Sequence, residues 1–215
     1  MRQLILDLRP DAPPDFSNYL PGPNAEALAA LRTHASGGAR EPLLYLWGEP
    51  GVGKSHLLQA WASALGAALH RAGEPLPEPP VSALAVDDVD ALDADNQIRL
   101  FNLINSARER GDLLLVSGRL PPVSLALRPD LVTRLAQGLV FRLLPLSDAD
   151  KAAALAVRAE GRGLRLPEEV TRYLLTHSRR DLPRLLATVD ALDTFSLSRK
   201  RPVSVPLLKE LLQQK

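Results

Sequence analysis

About a quarter of the way along the chain, eight residues have types and spacing suited to binding phosphate. The segment Gly48–Ser55 reads GEPGVGKS and matches the pattern G-x-x-x-x-G-K-[ST] at every fixed position. Its glycines allow the backbone to curl so that successive N–H groups point at phosphate oxygens. Lys54 would reach the β- and γ-phosphates, and the Ser55 hydroxyl would hold Mg²⁺. The segment therefore predicts binding of ATP or ADP, against the alternative of a chance glycine-rich turn.

Two carboxylates follow a later apolar run. Asp87 and Asp88 come directly after residues 82–86. A carboxylate at the end of such a strand can complete the shell of a bound Mg²⁺, and its neighbour can orient an attacking water. The alternative is a solvated turn, because three more aspartates follow before residue 96. The phosphate-binding pattern upstream favours the catalytic interpretation.

The elements that would position these residues alternate between strands and helices. Apolar runs predict strands, of which the first two are expected to be buried, and apolar residues at helical spacing predict helices. The predicted strands are 43–47, 82–86, 113–116 and 139–143, and the predicted helices are a short one capped by Asn24, one from 55 to 71 and one from 96 to 109. This alternation predicts an α/β fold with a parallel sheet covered on both faces.

The chain on either side of this region has a different character. Residues 1–23 contain five prolines, which predicts an extended arm. After Pro145 four amphipathic helices are predicted, the first opened by an S-x-x-D capping pattern at 147–150. We therefore expect three parts: the arm 1–23, a nucleotide-binding domain 24–146 and a small helical domain 147–215.

Composition narrows the class of protein further. The net charge is +1, which argues against a polyanionic partner held by bulk charge alone. There is no cysteine, so disulfides and thiolate metal sites are excluded. The four histidines show no metal-ligand spacing, and no stretch approaches the roughly 20 apolar residues of a membrane helix. We expect a cytoplasmic protein without a membrane partner.

Together these features resemble the AAA+ family and, within it, the DnaA-related proteins of the Hda type. The resemblance covers nearly the whole chain. It is carried by DFSNYLPGPN (15–24), GEPGVGKSH (48–56), LAVDDV (84–89), VSGR (116–119), DLVTRLAQG (130–138) and RDL (180–182). The expected fold is therefore an AAA+ parallel-sheet core with a small C-terminal helical lid domain.

The resemblance implies a role for each matched residue. Nucleotide would be bound by Gly48, Pro50, Gly51, Val52, Gly53, Lys54, Ser55, His56 and, from the lid, Arg180. Catalytic positions would be Asp87, Asp88 and Ser117, and Ser55 with Asp87 would hold Mg²⁺. Arg134 would be an arginine finger, whereas by its sequence context alone it is an ordinary surface arginine.

The arm contains an apolar peptide, Gln3–Leu8, that reads QLILDL. By pattern alone, leucines at alternating positions fit equally an edge strand of this chain or a peptide that docks in the groove of a partner. The resemblance implies the second, with Gln3, Leu4, Leu6 and Leu8 contacting the DNA polymerase III β sliding clamp.

The resemblance thus implies a negative regulator of DNA replication initiation. Docked on the clamp, it would stimulate ATP hydrolysis by the DnaA initiator, and it would meet DNA mainly through the clamp. Its own cofactors would be ADP or ATP and Mg²⁺, with at most weak intrinsic hydrolysis, and a homo-oligomer stays open. The alternatives are a stand-alone AAA+ ATPase such as a helicase loader, a small-molecule kinase and a passive adaptor.

Three departures from the family pattern are visible. Asp88 occupies the place where more active AAA+ ATPases carry glutamate, so intrinsic hydrolysis is expected to be slow. Gly118 stands where the initiators usually have an acid, which puts polar sensing at this position in question. The proline-rich stretch between the loop 48–55 and Asp87 is short, and it suggests that one strand and one helix are missing there.

Overall fold

The computed structural model describes residues 13–38, 40–71, 73–177 and 181–213. The chain separates into two compact units, one from Pro14 to Pro145 and one that begins at Leu146. The arm peptide with Gln3, Leu4, Leu6 and Leu8 lies outside the described residues, as does Arg180. Within the described part of the chain, no helix has the length and apolarity needed to cross a bilayer.

The first unit is built on one parallel sheet of five strands. The strands are β1 (Leu43–Trp47), β2 (Ala68–His70), β3 (Ala83–Val86), β4 (Leu113–Gly118) and β5 (Leu139–Arg142), in the order β2-β3-β4-β1-β5. All neighbouring strands pair in parallel. Their carboxyl ends therefore meet at one edge of the sheet, where the loop 48–55 and the acids 87–88 begin.

Helices cover both faces of this sheet. They are α1 (Ala25–Ala35), α2 (Lys54–Leu65), α3 (Ala94–Arg110) and α4 (Pro129–Ala136), with short 3₁₀ turns at Gly22–Asn24, Val89–Ala91 and Pro122–Ser124. On one face Leu44 and Leu46 pack among the apolar residues of α1 and α2. On the other, Leu43 and Tyr45 pack among those of α3 and α4. Side chains alternate along a strand, so β1 is apolar throughout, and the predicted parallel sheet with two covered faces is confirmed.

One predicted helix was too long. The helix expected to reach Arg71 ends at Leu65, where Gly66 adopts a left-handed conformation with φ 61° and caps it. The residues beyond form β2, which pairs with β3 at the edge of the sheet. The strand that was expected to be missing is therefore present, and it is only three residues long. The described residues between β2 and β3 contain no helix.

The second unit contains four helices, α5 (Asp148–Gly161), α6 (Glu168–His177), α7 (Leu182–Arg199) and α8 (Val205–Gln213). The predicted capping box is confirmed, because the Ser147 side chain accepts from Asp150 N while the Asp150 carboxylate accepts from Ser147 N. Leu155, Leu174 and Leu185 are fully buried in a core of their own. Arg158 binds Asp190 through two hydrogen bonds of 2.8 and 2.7 Å, which ties α5 to α7.

A buried polar pair joins α1 to α2. Trp61 Nε1 donates to His34 Nδ1 over 3.0 Å, and His34 Nε2 lies 3.1 Å from the Pro42 carbonyl oxygen. The ring therefore accepts through Nδ1 and donates through Nε2, which is the neutral imidazole. Burial lowers the pKa of His34, because the charged form would lose its water.

We predict that this pair makes stability depend on pH. The folded-state pKa lies below the unfolded value, so the stabilisation is complete above about pH 6.5 and falls as the pH drops towards the folded pKa. The free energy of unfolding should decrease by at most about 1.4 kcal/mol per pH unit in this window. Urea denaturation at several pH values should show this slope in the wild type and a smaller one in His34→Gln, which keeps a donor and an acceptor but cannot titrate. An unchanged slope in the variant would contradict the assignment.

Candidate nucleotide-binding site

The loop 48–55 leaves the carboxyl end of β1 and enters α2, as phosphate binding requires. Gly53 has φ 99°, a left-handed conformation that residues with a Cβ rarely adopt. A Cβ on Gly53 would lie 2.8 Å from Tyr19 Cε2, and one on Gly48 would lie 2.5 Å from the Leu143 carbonyl oxygen. The two glycines are therefore required by close packing as well as by the turn itself.

Lys54 is the first residue of α2 and is buried. Its Nζ donates to the Gly48 carbonyl over 2.7 Å and to the Glu49 carbonyl over 3.1 Å. Burial lowers the pKa of Lys54, and the charges of Asp88 and Asp87 oppose that shift. The ammonium group thus lies within the curl of the loop and close to the acids that follow β3. Phosphate oxygens would be stronger acceptors for it than the two carbonyls.

The two acids after β3 are organised by one hydroxyl group on β4. Ser117 Oγ donates to Asp87 Oδ1 and accepts from Asp88 N over 3.1 Å. Asp87 is buried, and Asp88 has a left-handed backbone with φ 54° and ψ 55°. The Ser117 hydroxyl thus fixes the carboxylate of one acid and the main chain of the other. Ser117 pairs in register with Leu46, two residues before the loop 48–55, so this cluster lies beside the loop.

The structure explains why position 118 carries no acid. The Tyr45 hydroxyl donates to the Leu120 carbonyl over 2.8 Å, and a Cβ on Gly118 would lie 2.0 Å from that hydroxyl. A side chain at 118 would therefore displace a buried tyrosine. The same Cβ position is 3.1 Å from Asp90 Oδ2, and this oxygen accepts from Arg119 N over 2.8 Å. A carboxylate is thus present at this place, supplied by Asp90.

Asp90 is the residue that sequence reasoning missed. It lies in the acidic run after β3, which the sequence allowed to be read as a solvated turn. Its position beside Gly118 follows from the pairing of β3 with β4, in which Val86 faces Val116. Burial raises the pKa of Tyr45, and the nearby charge of Asp90 adds to that shift.

Residues 15–24, the leading segment, pack beside the loop. Tyr19 lies against Gly53, and its ring centroid is 5.5 Å from that of His56. His56 Nε2 in turn lies 3.1 Å from the Asp15 carbonyl oxygen. The leading segment is therefore adjacent to the loop, with an aromatic ring and an imidazole ring side by side.

Asn24 has a different role from the predicted one. It precedes α1, but its side chain makes no capping hydrogen bond. Instead its side-chain amide forms two hydrogen bonds with the main chain of Leu144. It donates to the carbonyl over 2.9 Å and accepts from the N–H over 2.7 Å. Asn24 is buried away from water, so these two hydrogen bonds satisfy the donor and the acceptor of its side-chain amide. It fastens the leading segment to the chain that leaves β5.

The structure thus brings most of the predicted site together at one edge of the sheet. The loop residues Gly48, Pro50, Gly51, Val52, Gly53, Lys54 and Ser55 precede His56 on α2, and Asp87, Asp88 and Ser117 adjoin them. Arg134 is not among them, since it lies in the last turn of α4. The side chains that could hold Mg²⁺ are the Ser55 hydroxyl and the Asp87 carboxylate, which are hard oxygen donors of the kind this ion prefers.

Comparison with known proteins identifies a matching family for part of the chain and solved structures of similar fold. The sequence profile of the Hda lid domain matches residues 148–212. Domain III of the Thermotoga maritima replication initiation protein DnaA aligns with a TM-score of 0.77 at 24% identity, over 95% of this chain and 98% of that one. Residues 148–212 thus match the Hda lid domain, and the chain shares the fold of DnaA domain III.

More distant structures share the fold as well. AMPPCP-bound DnaA from Aquifex aeolicus aligns with a TM-score of 0.70 at 20% identity, over 90% of this chain and 69% of that one. A Thermotoga maritima RuvB variant aligns with a TM-score of 0.68 at 15% identity, over 96% of this chain and 72% of that one. The expected parallel-sheet core with a helical lid, a fold shared with these DnaA and RuvB structures, is therefore confirmed.

We predict that the glycine at 118 and the Tyr45 hydroxyl are energetically coupled. Gly118→Ala should lower the free energy of unfolding by about 1–3 kcal/mol, because the added methyl group overlaps a buried hydroxyl. Tyr45→Phe alone should lower it by about 1 kcal/mol through the lost hydrogen bond. In the double variant the overlap is relieved, so urea denaturation should show a smaller loss than the sum of the two single losses. Strictly additive losses would show that the contact is absent.

Proposed function

We propose that this Hda-like protein binds ADP or ATP with Mg²⁺ on the loop 48–55 and stimulates ATP hydrolysis by DnaA, which makes it a negative regulator of replication initiation. The Hda lid domain at 148–212, joined to a DnaA-like AAA+ fold, is the observation that carries the proposal. A DnaA-like fold also provides a surface suited to pairing with DnaA, because AAA+ subunits present nucleotide sites and arginines to one another.

The position of Arg134 supports action on the nucleotide of a partner. Gly138, one turn beyond Arg134, packs against the start of β1, where a Cβ would lie 2.7 Å from the Leu43 carbonyl oxygen. The loop 48–55 begins after the last residue of β1, so Gly138 and the loop are separated by the length of this strand, roughly 13 Å. Arg134 is thus at the edge of the sheet opposite to the loop, which suits a donor that acts in trans.

Arg134 is also held in an oriented position at the surface. Its Nη1 donates to Gln137 Oε1 over 3.2 Å, and its guanidinium carbon is 5.8 Å from the centre of the Phe101 ring. The guanidinium group is partly exposed and forms no ion pair among the described residues. A planar cation supplied in this way can stabilise charge that develops on the γ-phosphate of a partner.

In this proposal the protein's own nucleotide has a structural task. Lys54 would bind the phosphates in place of the Gly48 and Glu49 carbonyls, and Ser55 with Asp87 would hold Mg²⁺, which would neutralise the phosphate charge. Asp88 takes the position of the water-orienting residue, and its short side chain reaches less far than glutamate. We therefore propose that intrinsic hydrolysis is weak and that bound nucleotide sets the shape of the lid, with Arg180 as its contact.

The arm supplies the second partner in the proposal. Gln3, Leu4, Leu6 and Leu8 would bind the groove of the β sliding clamp as an extended peptide. Clamp loaded on DNA would then bring the protein close to DnaA bound nearby, which raises its effective concentration.

We predict that Arg134→Ala abolishes stimulation while the protein stays folded. Stimulated hydrolysis by DnaA, measured with clamp and DNA present, should fall by about 10³-fold or to the unstimulated rate, because arginine fingers contribute 10³–10⁵ in rate. Arg128→Ala is the matched control, since it removes an exposed arginine from the other end of α4. The control should stimulate as the wild type does.

Wild-type stimulation by Arg134→Ala would rule out the finger. Hydrolysis by this protein alone, at a rate that DnaA and the clamp do not change, would favour a stand-alone ATPase such as a helicase loader. Replacing Gln3 and Leu4 by alanine separates the arm from the finger, because stimulation should then be recovered at higher protein concentration. Asp7→Ala serves as the control within the same peptide.

A further inference from the structure

The turn that joins α7 to α8 is a cluster of positive charge. Arg199, Lys200 and Arg201 are consecutive and exposed. Arg199 and Arg201 share a single carboxylate, that of Glu210, over 3.5 and 3.0 Å. Three cations thus face one acid, so the turn, which we call the basic turn, keeps a net positive charge after its ion pairs are formed.

The backbone of the basic turn carries a strained residue. Lys200 has φ 52° and ψ 41° at the C-cap of α7, where its N–H donates to the Leu197 carbonyl and the next N–H donates to that of Ser196. This left-handed cap position normally holds glycine, because a Cβ is crowded there. Termination of the helix alone would be served better by glycine. A lysine at this point therefore indicates that its side chain has a use of its own.

A fourth cation lies on the same side of the lid. A hollow of about 390 Å³ is lined by Leu164, Arg165, Pro167, Ser196, Pro202 and Val203. Arg165, which is exposed, lies on the loop between α5 and α6, and Pro202 directly follows the basic turn. The hollow therefore places the Arg165 loop next to the basic turn, which widens the positive surface.

The distribution of charge over the chain also makes the lid more positive than the rest. Residues 146–215 contain 13 Lys and Arg against 9 Asp and Glu, a net charge of +4. Residues 14–145 contain 11 against 14, a net charge of −3. The near-neutral total thus conceals an asymmetry in which the lid is the basic part. Such an asymmetry is typical of a part that contacts a polyanion.

We propose that the basic turn and Arg165 bind the phosphate backbone of duplex DNA directly. Guanidinium groups pair with phosphate oxygens through two parallel hydrogen bonds, and a lysine adds a mobile point charge. A membrane surface is the weaker candidate, because the apolar face of α7 is buried in the lid core through Leu185, Val189 and Leu192. Only Leu197 of this helix is a large exposed apolar residue, at 71% exposure, so α7 has no apolar face to insert in a bilayer. This contact is additional to any contact made through the clamp, and it does not depend on Arg134.

Lys200→Gly gives a sharp test, because it separates DNA binding from stability. Loss of the charge should weaken DNA binding, whereas relief of the backbone strain should not lower the stability of the fold. The full chain is titrated with a fluorescent duplex of about 20 base pairs, without clamp or DnaA, at several salt concentrations. The variant should bind more weakly, and the slope of log affinity against log salt should become shallower by about 0.9, as expected for one lost phosphate contact. Its midpoint of thermal unfolding should not fall, because glycine relieves the left-handed strain. Arg165→Ala should weaken binding in the same way.

Arg172→Ala is the control, since it removes an exposed arginine of α6 that pairs with Glu168. It should leave both affinity and slope unchanged. Equal affinity and equal slope for the wild type and Lys200→Gly would overturn the proposal. So would binding of the wild type to anionic phospholipid vesicles in the absence of binding to the duplex.

Discussion

The candidate site depends on a hydroxyl group that joins the ends of two strands. Ser117 on β4 holds the carboxylate of Asp87 and the main-chain N–H of Asp88, which both follow β3. Because the strands are parallel, this link lies at the same edge of the sheet as the loop 48–55. The hydroxyl also compensates for burying Asp87, since a buried carboxylate needs hydrogen bonds. The arrangement of acids around the loop follows from the sheet order and from this link.

Around this link, charged groups of the site have partners within the protein. Lys54 is bound to the carbonyls of its own loop, and its charge is balanced by the acids after β3. Asp90 supplies at Gly118 the carboxylate that this position cannot carry itself. The same principle applies to the lid, where acids and arginines are paired between α5 and α7. The basic turn is different because its three cations have only one acid between them. This excess of positive charge is the reason for our proposal that it binds an external anion.

Much of this could be predicted from local pattern. The loop 48–55, the buried strands and the capping box at Ser147 each depend on residues close in sequence, so the sequence was enough to find them. The edge strand β2 was missed because Ala68–His70 continues a helical pattern, and only its pairing with β3 overrides that pattern. The roles of Asp90 and Asn24 could not be predicted, since each depends on a contact with a distant segment, Arg119 or Leu144. Long-range contacts of this kind have no short-range signal in the sequence.

The central claim is that the loop 48–55 binds a nucleotide through Lys54, and calorimetric titration with MgADP and MgATP tests it most directly. The account predicts that the wild type binds. It predicts that Lys54→Ala, shown by circular dichroism to be folded, binds at least about tenfold more weakly, because one charge-assisted contact with phosphate is lost. Equal affinity in the folded variant, or no binding by the wild type, would contradict the account.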